Sequence, residues 1–268
     1  MIKRMVISLG LAIFCFFFLF GQSTFAQVSK KGYRSIELLH KGHIRGKVRY
    51  TGPAMELPEI EITKDPNVCG SQPRKLKAID ISGDGALRNA VVYIADITRG
   101  KPFSPVAGPP VLEQKGCAYY PHVQVVPGRS TLKIVNEDKL WHNVHAYLFP
   151  YDTQFVLYPS SLPGGGRTLF NAAMLKFVKK IFRDLPEKGI VKFMCDAGHT
   201  WMTAYIVLAE HPYFAKVDQD GRFELKDVPV GTYELAVWHE YFGTKTKDIE
   251  IFDNTYTRVD FVYKQGSE

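Results

Sequence analysis

Beyond Phe20 the chain has no apolar run long enough to cross a bilayer as a helix, so no embedded span is expected after that point. It also lacks the motifs of several common chemistries. No Cys-x-x-Cys-His is present, which removes covalent haem attachment. No glycine-rich loop of phosphate-cradling spacing occurs, and no Ser/His/Asp or paired-carboxylate pattern suggests catalysis. Basic residues exceed acidic ones, 34 to 27, but they form no dense block, so nucleic acid is not an expected partner. There is no internal repeat and no extended low-complexity tract.

What is present at the N-terminus reads as an export signal. Lys3 and Arg4 precede an apolar stretch from Met5 to Phe20, and Thr24-Phe25-Ala26 offers small residues at a cleavage point. Residues 1–26 are therefore expected to be a signal peptide cut after Ala26, which places the mature protein in the periplasm or otherwise outside the cytoplasm. Cys15 follows Ile13-Phe14 inside the apolar stretch and lacks the small residue that precedes a lipidated cysteine. Cleavage leaves 242 of 268 residues and lowers the net charge from +7 to +5, since the leader holds two basic residues and no acidic one.

Of four cysteines, Cys69, Cys117 and Cys195 remain after cleavage. An odd number in an oxidising compartment raises the question of which one stays unpaired. We read Cys69 and Cys117 as a disulfide and Cys195 as a thiolate held by a metal.

Short Val-, Ile-, Tyr- and Phe-rich runs alternate with Gly, Pro, Asp and Asn clusters along the rest of the chain, the pattern of an all-β protein built from sandwiches. Strands are expected over Gly42–Tyr50, Glu56–Ile62, Leu76–Ile81, Asn89–Ile97, His122–Val126, Thr131–Asn136, Asn143–Phe149, Gly189–Cys195 and Thr203–Ala209. A second group covers Phe214–Asp218, Arg222–Lys226, Thr232–His239, Lys247–Phe252 and Thr257–Tyr263. Loosely periodic apolar positions predict one helix, Asn171–Phe182. Pro102–Pro110 and Pro159–Gly166 read as exposed loops.

The stretch from Asp218 to Leu235 runs turn, alternating strand, Pro-Gly turn, alternating strand. It resembles the second half of the carboxypeptidase regulatory-like, or transthyretin-like, module. Ile44-Arg-Gly46-Lys-Val48 and Leu87-Arg-Asn-Ala-Val91-Val-Tyr would supply its first half. The module would then be split, with residues 42–98 and 211–264 forming one small sandwich and residues 111–210 inserted between them. The alternative is that 42–98 extend a larger central domain.

The chemistry concentrates in Cys195-Asp-Ala-Gly-His199-Thr-Trp-Met202, which follows the apolar strand Gly189–Met194. A thiolate, an imidazole and a thioether presented from one short loop are three of the four ligands of a type 1 copper site, which takes two imidazoles, one thiolate and a weak axial thioether. The second imidazole must come from another strand. His142 in Trp141-His142-Asn143, soon after the strand ending at Asn136, is its natural source. Asn143 beside it would tie the ligand loops together and help set hydrogen bonding around the sulfur.

Residues 111–210 resemble the plastocyanin/azurin superfamily of cupredoxins. The fuller pattern is similar to bacterial cupredoxin-domain proteins, some labelled methylamine-utilisation proteins, that also carry the regulatory-like module. The features are Cys69-Gly, Gly116-Cys117-x-Tyr-x-Pro-His122-Val, His142-Asn-Val-His145, the Cys195 loop, His211-Pro-Tyr-Phe and Trp238-His-Glu. The resemblance implies a Greek-key β-sandwich holding one copper, with His142, Cys195 and His199 equatorial and Met202 axial. The spacing Cys-x3-His-x2-Met departs from the Cys-x2-His-x4-Met of plastocyanin. It matches half of the binuclear copper A loop, but Val191 stands where that centre needs a second bridging cysteine.

His122 and His145 could make a second metal site; each alone reads as an ordinary half-buried histidine, and His211, His239 and Glu240 read as structural. A closed thiolate–imidazole site has no open position for substrate, so an electron carrier is expected rather than an enzyme. Its partners would be redox proteins met transiently, with the edge of His199 and nearby Trp201 as the contact patch. The alternative is a copper-binding or delivery protein, or an exported interaction module with a subsidiary copper site.

Overall fold

In the computed structural model, the central part of the chain folds as two facing sheets. One has four strands, in the order Lys179–Phe182, Leu132–Asn136, Val111–Gln114, Tyr119–Tyr120; the other has five, in the order Arg167–Met174, His142–Phe149, Gly189–Met194, Thr203–Ala209, Val123–Pro127. Residues 32–55, 57–105, 108–155, 166–176, 179–182 and 184–264 are described. The expected leader, with Cys15, and most of the loop Pro159–Gly166 lie outside them.

Leu112, Leu132 and Ile134 of the first sheet share one buried cluster with Val144, Ala146, Val191, Phe193, Ala204 and Ile206 of the second, so the two inner faces close a core between them. Val111–Gln114 runs parallel to Leu132–Asn136, and Thr203–Ala209 parallel to Val123–Pro127. The other pairings in the two sheets are antiparallel, which makes this a Greek-key sandwich.

A second sandwich is assembled from the two ends of the chain. One sheet runs Phe214–Lys216, Val91–Ile94, Gly231–His239, Gly243–Ile251; the other runs Arg222–Pro229, Lys41–Tyr50, Tyr256–Arg258, with Phe261–Tyr263 also on Lys41–Tyr50. Strands before residue 100 thus pair with strands after residue 213. Ile44, Val48, Val92, Ile94, Phe223, Leu225, Leu235 and Val237 fill its core.

A third cluster joins the two sandwiches, and strand alternation explains its membership. Val92 and Ile94 face the second sandwich's interior, so Val91 and Tyr93 face the other way. Val191 and Phe193 face the first core, so Ile190 faces out. Val91, Tyr93, Ala236 and Trp238 meet Val123, Phe149, Phe155, Ile190, Tyr205 and Val207. Burying each large apolar side chain contributes roughly 1.5–3 kcal/mol, so this layer welds the halves together. It explains why Val91–Ile94 and most of Gly189–Met194 are buried along their length, reading as continuous rather than alternating apolar runs.

A cluster of buried polar side chains borders that layer. Glu240, at the end of Gly231–His239, accepts from His122 Nε2 at 2.5 Å, and the fully buried Lys192 carries its ammonium 5.2 Å from the Phe155 ring centre. Burial pushes Lys192 down to about 8, with the Glu240 charge opposing.

The expected helix Asn171–Phe182 is not formed. Arg167–Met174 is a strand paired to His142–Leu148, and Lys179–Phe182 pairs with Leu132–Val135. Both are sheet edges, and cross-strand pairing overrides the weak helical periodicity. Leu76–Ile81 is likewise not a strand: Arg74–Lys75 pairs briefly with Glu59–Ile60, and Ile81 makes only an isolated bridge to Leu87. The expected strand Glu56–Ile62 shrinks to Glu59–Ile60 for the same lack of partners. The described part of Pro102–Pro110 is mostly exposed loop.

Candidate metal centre

The strand Gly189–Met194 delivers Cys195 to the end of the sandwich core. The chain then turns through Gly198, whose φ of +91° suits glycine, and the Met202 N–H donates to the His199 carbonyl at 2.9 Å. His142 starts the neighbouring strand. The result is a convergence of three atoms: Cys195 Sγ lies 3.6 Å from His199 Nδ1 and 4.0 Å from His142 Nδ1, and the two Nδ1 atoms are 3.2 Å apart. Ligand atoms about 2.0–2.3 Å from one ion, at angles between tetrahedral and trigonal, would be separated by roughly 3.3–4.0 Å, close to the distances found. The three side chains therefore fit a single metal ion. Met202 is buried in the same cluster as Cys195 and Trp201.

Each imidazole is oriented by a carboxylate. His142 Nε2 donates to Asp138 Oδ2 at 2.7 Å, and His199 Nε2 to Asp65 Oδ2 at 3.0 Å. Holding the proton on Nε2 leaves the Nδ1 lone pair facing the sulfur, as a metal-binding imidazole requires. Asp138 also accepts the N–H groups of Gly116 and Cys117, at 2.6 and 2.8 Å. Neither aspartate was identified from the sequence. Asp138 lies four residues before His142, and that proximity was a usable signal; for Asp65 the sequence holds none.

The electrostatics favour a thiolate. Burial opposes ionisation of Cys195, but the adjoining His142 and His199 rings, when they carry a second proton on Nδ1, and the Asn143 and Ala197 backbone N–H groups outweigh it and hold the thiol down to about 6. The Asn143 N–H reaches the sulfur at 3.3 Å. For His142 burial acts downward and is outweighed by Asp138 and Cys195, which raise it. For Asp138 burial acts upward and is outweighed by His142 and the two backbone N–H groups, which lower it.

Asn143 works through two parts. Its backbone N–H meets the sulfur, while its side-chain oxygen accepts from the Asp196 N–H at 3.2 Å and its amide donates to Asn171 Oδ1 at 2.5 Å. The side chain thus ties three chain segments together beside the site. Tyr119, fully buried, donates from its hydroxyl toward the Asn143 and Met194 carbonyls at 2.8 and 3.1 Å.

Cys69 and Cys117 form a disulfide, 48 positions apart in the chain. It packs on the site: both sulfurs lie within 4.8 Å of a His199 ring nitrogen. Arg74 donates to the Cys117 and Gly116 carbonyls at 3.0 and 2.8 Å and also to that of Cys69, and Trp201 Nε1 donates to the Cys117 carbonyl at 2.9 Å. Val191, where a second bridging cysteine would stand, is a buried core residue.

His122 and His145 are not brought together. His122 bonds Glu240, and its Nδ1 lies 3.2 Å from the Thr203 carbonyl. His145 Nδ1 sits 2.7 Å from both Asp196 and the Tyr147 hydroxyl. Neither belongs to any cluster of three potential ligands among the described residues. His211 and His239 are buried, and burial pushes each down to about 4.

The expected contact patch is corrected. His199 is 1% exposed and Trp201 9%, because Asp65 and the short helix Pro66–Cys69 cover that edge of the site. The covering segment comes from outside the sandwich and is fastened by the disulfide.

A protein-family profile described as polysaccharide lyase family 4, domain II, matches residues 186–259, less than half of the chain. No curated protein sequence matches significantly. Solved structures that are similar include a purple cupredoxin from Nitrosopumilus maritimus, 16% identical, with 37% of this chain and 99% of that one aligned at a TM-score of 0.28. Auracyanin from Roseiflexus castenholzii is 14% identical over 39% and 99% of the two chains, at the same TM-score. A copper-containing nitrite reductase from Thermus scotoductus is 18% identical over 43% of this chain and 25% of its own, again at 0.28, so this chain spans about a quarter of that protein. At these identities and scores the likenesses bear on neither the site nor its chemistry. No helix among the described residues is long and apolar enough to cross a membrane.

Proposed function

We propose that the chain is an exported copper protein that carries single electrons between redox partners and catalyses no substrate reaction. The observation that carries this reading is the convergence of Cys195 Sγ with the Nδ1 atoms of His142 and His199, both held by carboxylates in the tautomer that frees Nδ1. One thiolate and two imidazoles select copper among the common first-row metals, and Met202 would be the weak axial ligand. When bound, such an ion supplies a one-electron couple. The protein's part is to keep that couple in one geometry. Asp65, Asp138 and the Asn143 N–H fix the three donors from outside, so little has to move when the charge changes. Full burial of His142, His199 and Cys195 keeps water and substrates away from the donors.

Copper-loaded full-length protein tests this. One copper per chain and an intense visible absorption from thiolate-to-copper charge transfer are expected, with a mononuclear paramagnetic resonance signal. Cys195→Ala should abolish the absorption. A band that survives Cys195→Ala, or two coupled coppers per chain, would sink the assignment.

A second reading, copper binding or delivery without electron traffic, draws on the covered edge of His199. Ready transfer of Cu(I) to a chelator, together with slow electron self-exchange, would favour it.

A further inference from the structure

Covering His199 closes one route for an electron and leaves another open beside His142. Resting on the carrier reading, we propose that the electron-transfer face is the apolar patch of Trp141 and Leu175, and that its partner is an acidic redox protein.

Trp141 is 53% exposed and Leu175 61%, two large apolar side chains brought together at one sheet end. His142 pairs with Met174 in antiparallel register, which sets Trp141 opposite Leu175. The buried Asn136 pins both flanks, its side-chain amide donating to the carbonyls of Leu140, Met174 and Leu175 at 2.9, 3.0 and 3.3 Å. The patch is therefore held in shape rather than trailing on a loose loop. Trp141 is also covalently next to a metal-facing imidazole, and transfer rates fall exponentially with distance. The other two tryptophans, Trp201 and Trp238, are buried and offer no such contact.

Charge selects the partner. Exposed Lys139 and Lys176 border the patch, and the Lys64 side chain lies over Gly198 in the ligand loop. On the same loop Glu137 is exposed, while Asp138 is turned inward onto His142. An apolar centre within a basic border fits the small, short-lived contacts of redox pairs, with the lysines steering an acidic surface into place. Each encounter moves one electron: the acceptor is reduced by one, the bound metal's charge rises by one, and no bond or proton changes.

Two measurements test the proposal. In metal-free full-length protein, collisional quenching of tryptophan fluorescence reports Trp141, because the other two are buried. Iodide should quench more strongly than caesium, relative to free N-acetyltryptophanamide, and Lys139→Glu with Lys176→Glu should reverse the preference. In copper-loaded protein, the same double variant should slow oxidation by hexacyanoferrate(III) about tenfold or more at low ionic strength, with the gap closing in high salt. Lys226→Glu with Lys247→Glu makes the same charge change on the second sandwich and should have a much smaller effect. Equal slowing by both pairs, or no quenching preference, overturns the proposed face. A sample that binds no copper, or lacks the thiolate band, overturns the carrier reading instead, whatever the quenching shows.

Discussion

The Asp65 carboxylate stands 3.0 Å from His199 Nε2 although 134 positions separate the two residues. The bond joins a segment outside the Greek-key sandwich to a residue in the loop that carries Cys195. It orients the imidazole and covers the ring edge at once. Asp65→Ala should weaken copper binding by about 10–100-fold, the usual cost of losing an orienting carboxylate. Asp65→Asn keeps an acceptor oxygen and should lose less. Competition with a chelator of known affinity measures both, and an Asp65→Ala protein with unchanged affinity would reduce the contact to a surface decoration.

The disulfide should carry both stability and site closure. Cross-linking positions 48 apart removes enough chain entropy from the unfolded state to contribute roughly 4 kcal/mol. Replacing both cysteines, Cys69→Ala with Cys117→Ala, should lower Tm by on the order of 10 °C. It should also speed copper loss in the same direction as Asp65→Ala, because the helix that carries Asp65 loses its anchor. Combining the double replacement with Asp65→Ala should then add little further loss. Fully additive effects on copper release would show that the disulfide does not act through Asp65.

The contact between the sandwiches depends on Glu240. Its carboxylate bonds the His122 ring, and its charge acts on the buried Lys192. Glu240→Ala removes the acceptor of the buried His122 ring and a favourable charge near Lys192, and should cost about 1–3 kcal/mol. Glu240→Gln retains an acceptor for His122 and should cost less. Because the layer of Trp238, Tyr205 and Phe155 joins the halves, wild type should unfold in one calorimetric transition. Two separate transitions in wild type would contradict the welded interface.

Acid should destabilise the metal-free protein through two buried histidines. His211 Nδ1 accepts the Tyr213 N–H at 3.3 Å, and His239 Nδ1 accepts those of Tyr241 and Phe242 at 3.2 and 3.4 Å. Protonating either ring at Nδ1 breaks these bonds and buries a charge, which is why burial holds both near 4. The unfolded chain takes up these protons near pH 6.5, before the folded protein does. The stability each ring contributes is therefore complete above about 6.5 and is lost as pH falls from there to about 4, on the order of 3 kcal/mol apiece. His211→Asn and His239→Asn should each flatten the fall of Tm over that window. A slope identical to wild type in both variants would place the acid sensitivity elsewhere.

Much of the site was readable because it is local. Cys195, His199 and Met202 share one loop, and their spacing alone brings thiolate and imidazole to one end of a strand. His142 was readable from its place after a strand ending in Asn136. The all-β class followed from short β-rich runs between turn residues, and the pairing of Cys69 with Cys117 from an odd cysteine count outside the cytoplasm. Residues 171–182 carry a loose helical period in sequence yet form edge strands, because edge strands lack a strong period of their own and their pairing partners lie elsewhere in the chain.

The sequence by itself therefore determined which candidate donors share one loop, since spacing and strand alternation are short-range properties. Tertiary structure alone decided what surrounds those atoms. Asp65 reaches His199 because the covering helix is tied to Cys117 across the chain, and Asp138 reaches His142 because its loop folds back over the strand end. Glu240 reaches His122 because two sheets meet back to back. These contacts join residues from about 50 to more than 130 positions apart, or depend on how a loop packs, and no local pattern encodes which distant carboxylate will arrive. The closing of His199 and the exposure of Trp141 are both consequences of that packing.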